Sequence, residues 1–116
     1  MAMTEPNTVV VDFHIKRYSD FDLLRIARAV RQIYQAPVTA YLVDAYIPAC
    51  TAIGVVFGHD HFLDGHRIRT SDIQYVEKEG RFWVLTTLNS RYVVATFKRD
   101  GGRNSLRDFL RILEHS

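Results

Sequence analysis

Between His66 and Lys98 three β-forming runs follow one another with only short breaks between them, and this spacing constrains the fold more than anything else in the chain. Arg81 to Thr87 alternates Phe82, Val84 and Thr86 with Trp83, Leu85 and Thr87, and Arg91 to Lys98 alternates Tyr92, Val94 and Thr96 with Val93, Ala95 and Phe97. A period of two puts successive side chains on opposite faces of a strand. Glu79-Gly80 and Asn89-Ser90 are turn pairs, and Asn tolerates the left-handed backbone that tight turns use. Two-residue connections can join only antiparallel neighbours. With His66 to Glu77 as the preceding strand, interrupted near Ser71-Asp72, the segment predicts an antiparallel meander.

The rest of the chain supplies elements to pack on that meander. Thr8 to Tyr18 reads as a strand with Val9, Val11, Phe13 and Ile15 on one face and Val10, Asp12, His14 and Lys16 on the other. Ser19 is placed to cap a helix through the amide of Asp22, and Asp20 and Asp22 suit the positive end of its dipole. Leu23, Leu24, Ile26, Ala27, Val30, Ile33 and Tyr34 form its expected buried face, and Pro37 ends it by disfavouring helical geometry at Ala36. Val38 to Ile47 is a second strand broken by Pro48. Ala49 to Phe57 resumes extended chain, with Gly54 and Gly58 allowing a bend or bulge. After Asp100-Gly101-Gly102, Ser105 with Asp108 three residues on predicts a capped last helix burying Leu106, Phe109, Leu110 and Leu113.

A chain of 116 residues, 47% of them apolar, is long enough for one real core. The expectation is a flexible lead-in over residues 1–7 and a single α+β domain over 8–116. Its sheet is mostly antiparallel, with one helix from the N-terminal half and one C-terminal helix packed on it. The formal charge of +2 permits contact with phosphates without demanding it. A lone cysteine, Cys50, cannot form an internal disulfide and reads as a small buried apolar residue of a reducing cytoplasm. No run reaches membrane-spanning length, because Asp44, Pro48 and Gly54 punctuate the longest candidate, and no secretion signal opens the chain.

Three groups of residues could carry chemistry. His59, His61, Asp64 and His66 fall within eight residues, and histidines two apart on extended chain share a face, so the four could hold a zinc, manganese or iron ion and activate water. Their spacing departs from the His-x-His-x-Asp-His arrangement of metallo-β-lactamase-type hydrolases. A polar surface turn with Asp64-Gly65 at the reversal is the alternative. The hydroxyl-rich stretches Arg69 to Asp72 and Thr86 to Tyr92 could bind phosphate oxygens, although strand ends and hairpins collect these residues for structural reasons. Arg25, Arg28 and Arg31 line one helix and Arg103, Arg107 and Arg111 the other, each row being a solvated face or a contact surface for phosphate or an acidic partner. Gly101-Gly102 is a turn before a helix, not a phosphate-binding glycine loop.

Phe62-Leu63-Asp64-Gly65-His66-Arg67-Ile68-Arg69-Thr70-Ser71, followed by Trp83 and then Thr87-Leu88-Asn89-Ser90-Arg91-Tyr92, resembles a pattern in small proteins of phages and integrative elements. These carry an Asp-Gly-x-x-Ile-x-Thr-Ser segment and then a Thr-x-Asn-Ser-x-Tyr segment. The resemblance covers about thirty residues outside both helices, and it implies a mobile-element origin and, by analogy, a binding, regulatory or anti-defence role. The expectation is therefore a cytoplasmic accessory protein that binds a protein or nucleic acid through Arg25, Arg28, Arg31, Arg103, Arg107 and Arg111, with no cofactor and no catalysis. The alternatives are a metal-dependent hydrolase or nuclease using His59, His61, Asp64 and His66, and a homo-oligomer formed through a strand edge.

Overall fold

The computed structural model describes residues 7–115, so the expected lead-in lies almost wholly outside the described residues. The elements run β1 (Val9–Asp12), α1 (Asp20–Arg31), β2 (Ala40–Tyr46), β3 (Ile53–Phe57), β4 (Arg67–Arg69), β5 (Ile73–Glu79), β6 (Phe82–Thr87), β7 (Arg91–Val94) and α2 (Gly102–Glu114). All seven strands form one sheet in the order β1-β4-β3-β2-β7-β6-β5. Its pairings are antiparallel except between β2 and β7, which run parallel at the centre. The chain is thus α+β, and β5, β6 and β7 form the expected meander. The first half of its expected opening strand is instead β4, which pairs with β1 and β3 on the far side of the sheet because the break at Ser71-Asp72 separates two strands.

The two helices lie on opposite faces of this sheet. Ile26 and Ala29 of α1 pack with Val43, Val55, Phe82, Val84, Val93 and Ala95, while Leu106 and Phe109 of α2 pack with Leu42, Ile47, Val56, Ile68, Leu85, Tyr92 and Val94. Consecutive residues such as Leu42 and Val43 therefore enter different cores. That explains the unbroken apolar runs of the central strands, since a strand covered on both faces has no solvent side to keep polar. Burying a Val or Leu side chain contributes about 2 kcal/mol, so the two cores together hold the layers.

Several local expectations are corrected. The first strand ends at Asp12 after a bulge between Val10 and Asp12, and Val10 is the residue that packs on the core. Val9, Val11, Phe13 and Ile15 are exposed, the first two on an edge strand and the last two beyond its end, and neither helix packs against them. Helix α1 stops at Arg31, with Gln32 already extended, and it buries Asp22, Ile26 and Ala29. Leu23, Leu24, Val30 and Ile33 stay exposed, and Tyr34 packs from the loop that follows. The buried stripe is turned away from the apolar one because Asp22 and Arg25 find partners on the sheet. The predicted capping box of Ser19 and Asp22 is present on both sides.

Helix α2 begins four residues earlier than the Ser105 cap predicts. Gly101 occupies the N-cap position at φ 96, and Ser105 lies inside the first turns, where its hydroxyl donates to the Gly102 carbonyl and accepts the Ile47 amide. That bond ties the helix to the end of β2. Leu106 and Phe109 are buried as expected, whereas Leu113 is exposed. Cys50 is exposed, its thiol bonded to Asp72, because Pro48 and Ala49 carry the chain out of the sheet. The Asn89-Ser90 turn forms without a left-handed asparagine; among described non-glycine residues only Asn7 and Asp44 have positive φ.

Candidate functional site

The loop that follows β3 is held from within. His59 is buried, its Nδ1 accepts the His61 amide at 3.0 Å, and its Nε2 lies 3.2 Å from the Tyr92 hydroxyl. An acceptor Nδ1 leaves the ring proton on Nε2, which then donates to Tyr92. Asp64 Oδ1 accepts the Gly58 amide, and Gly65 makes the reversal at φ 93. His66 packs edge-on against Phe13. Among the described residues no three His, Cys, Asp or Glu side chains meet as a metal-binding group, so His59, His61, Asp64 and His66 are not brought together as a ligand set. A tertiary contact explains this: Tyr92, inside the core, draws the His59 ring inward, and the His61 amide occupies its Nδ1.

In the hydroxyl-rich stretches Thr70, Ser71, Thr87 and Ser90 are buried. Thr70 Oγ1 accepts the Ala52 amide and donates to the Ser71 carbonyl, and Thr87 is bonded to the Ser90 carbonyl across the β6–β7 turn. Arg91 reaches Glu79 at 2.5 Å, Glu77 at 3.4 Å and the Ala36 carbonyl at 2.8 Å. Glu79 in turn accepts the Gln35 amide at 2.8 Å, which with Arg91 holds its carboxyl below the ordinary carboxylate range. This buried network pins the segment after α1 to the meander.

The arginines divide differently from their sequence rows. Arg25 and Arg28 of α1 and Arg103 of α2 come together with Lys16, Lys98 and Arg99 around one cleft of about 810 Å³. The cleft opens at the carboxyl ends of β2 and β7, between the first turn of α1 and the first turn of α2; Ser19, Phe21, Thr96 and Asn104 also line it. Crevices beyond the carboxyl ends of parallel strands are where α/β sheets commonly bind ligands. Arg25, Phe97 and Arg103 also border an adjoining hollow of about 320 Å³, which adds Lys78, Arg81 and Trp83. Arg31, Arg107 and Arg111 are exposed elsewhere and line neither space.

Six cations face two carboxylates in the larger cleft, and both carboxylates are committed. Lys16 Nζ bonds Asp44 and lies 3.4 Å from Asp22. Burial opposes the charge on Lys16, yet Asp44 and Asp22 outweigh it and raise the ammonium pKa. Asp44 sits at the β2 bulge with φ 55, its amide bonded to Thr96, and Asp22 also serves the Ser19 amide. Among the described residues that line the cleft, no further acid offsets the arginines.

The arginine heads are fixed by aromatic and backbone contacts. Arg25 Nε donates to the Ala95 carbonyl at 3.0 Å, with its guanidinium 4.6 Å from the Phe82 ring centre. Arg103 lies 4.7 Å over Phe97, and Lys98 lies 4.7 Å over Tyr46. Burial, and then the charges of Arg103, Arg28 and Arg81, push the Arg25 pKa down from its ordinary value. Like charges held this close repel one another, and an anion among them relieves that repulsion. Helix α2 adds to the field, for its N-terminus opens on the cleft with no side-chain cap and no acid in the first turn.

Sequence reasoning found Arg25, Arg28 and Arg103 but missed Lys16, Lys98 and Arg99. Only the run Lys98-Arg99 before Gly101-Gly102 could have signalled them. No protein-family model, curated protein or solved structure matches the chain.

Proposed function

We propose that this protein binds nucleic acid, holding the phosphate backbone in the cleft formed by Lys16, Arg25, Arg28, Lys98, Arg99 and Arg103. The supporting observation is the convergence of six cations from four segments of chain on one concave space whose two carboxylates are already paired. Phosphates would enter against preformed donors: guanidinium groups offer planar forks, and the cation–π contacts keep Arg25 and Arg103 from collapsing onto carboxylates. Phosphate contacts of this kind supply affinity and position without reading sequence. In keeping with the resemblance to phage and integrative-element proteins, the role would be that of an accessory factor rather than a catalyst.

The test compares charge reversals inside and outside the cleft. An Arg28→Glu, Arg103→Glu variant should lose binding to a labelled oligonucleotide, whereas Arg107→Glu, Arg111→Glu should keep most of it. Both pairs are exposed, so the fold should survive in each, as circular dichroism would confirm. Equal losses would show that general charge, not the cleft, governs association.

A further inference from the structure

Resting on the nucleic-acid reading above, we infer that the occupant of the cleft is a single strand, and that the ring of Phe21 is the platform on which one of its bases stacks. Phe21 is the second residue of α1 and is 63% exposed, on the wall that also carries Arg25 and Arg28. Every other ring that meets a cation near this cleft already has one over its face: Phe82 has Arg25, Phe97 has Arg103 and Tyr46 has Lys98. Phe21 has no ring or cation partner among the described residues. An apolar ring left open beside six cations matches a ligand that is anionic along its backbone and flat and apolar on its bases.

A duplex satisfies the charge but not the ring, because its base faces are stacked inside and only base edges and phosphates face outward. A single strand offers both, and grooves that bind one combine backbone-tracking cations with aromatic side chains that stack bases. The cleft of about 810 Å³ lies between the first turns of the two helices. It continues past Arg25 and Arg103 into the hollow lined by Lys78, Arg81 and Trp83, which gives the strand an exit along further positive charge. An acidic polypeptide would match the cations but leave the phenyl face without a flat partner.

The experiment measures fluorescence anisotropy of a labelled twelve-nucleotide strand and of the same sequence as a blunt duplex, at one low salt concentration. The single strand should bind more tightly. Phe21→Ala should weaken it about 10- to 100-fold, the scale for losing one stacked base, while leaving duplex affinity and the thermal midpoint unchanged. Phe21→Trp should bind within about threefold of the parent, and Phe21→Leu, which keeps apolar bulk without a π face, should resemble Phe21→Ala. Equal or tighter duplex binding, or a Phe21→Leu protein as good as the parent, would overturn the single-strand assignment and leave phosphate binding standing. Failure of both probes to bind, or tighter binding of polyglutamate than of either, would overturn both.

Discussion

Salt should act on this protein in proportion to the number of cleft cations that remain free. Lys16 is paired with Asp44 and Asp22, whereas Arg25 bonds only a neutral carbonyl and keeps its charge, so Arg25, Arg28, Lys98, Arg99 and Arg103 are the five groups able to displace counterions from phosphates. For a single strand, each neutralised phosphate contributes about −0.7 to the slope of log affinity against log salt, so five predict a slope of about −3.5. Raising salt from about 50 to about 200 mM would then weaken binding roughly 130-fold. Arg103→Gln should make the slope shallower by about 0.7, and Arg107→Gln should leave it unchanged. Anisotropy titrations at four salt concentrations give both numbers. A slope near zero would refute the electrostatic account. A slope near that expected for all six cations would show that the Lys16 pairs open when the ligand arrives.

Two further outcomes test the scaffold under the cleft. Gly102→Ala ought to stabilise α2 by about 1 kcal/mol on helix propensity alone. A Cβ there, however, would sit 2.8 Å from the Ala45 carbonyl oxygen and 3.0 Å from Phe97 Cβ. We expect a net loss of roughly 1–3 kcal/mol in urea unfolding, and a raised midpoint would contradict this packing. The Gln35 amide and Arg91 depress the Glu79 carboxyl pKa, so its stabilisation is present above the ordinary value of 4.5 and is lost as pH falls through the lower folded value. Urea midpoints of the parent protein should therefore drop on acidification below about pH 4.5 more steeply than those of Glu79→Gln. Parallel curves would show that the carboxylate contributes nothing.

How far the sequence could be read depended on whether the relevant physics was local. Alternation around Trp83, Leu85, Val93 and Ala95, with short turns between, identified β5, β6 and β7, because period and turn length are local properties. The Ser19–Asp22 box marked the start of α1 for the same reason. Its buried face was not legible. Leu23, Leu24 and Val30 carry the helical spacing, yet Asp22 and Arg25 turn toward the sheet because Thr96 and the Ala95 carbonyl wait there, both 70 or more positions away in the chain. Ser105 has the look of a cap but is used against Ile47, just past the end of the remote strand β2. His59 and its neighbours had ligand spacing, and a hydroxyl from Tyr92, 33 residues away, decides where His59 points.

The sequence by itself determined an α+β fold with a meander, two helices and a row of arginines on each helix. Tertiary structure alone decided which of those arginines meet. Pairing β2 parallel to β7 sets the carboxyl ends of both strands beside the first turns of α1 and α2, and so gathers Lys16, Arg25, Arg28, Lys98, Arg99 and Arg103 from positions up to 87 residues apart. Periodicity reports what each segment must bury; only the order of strands in the sheet reports which segment ends share a space.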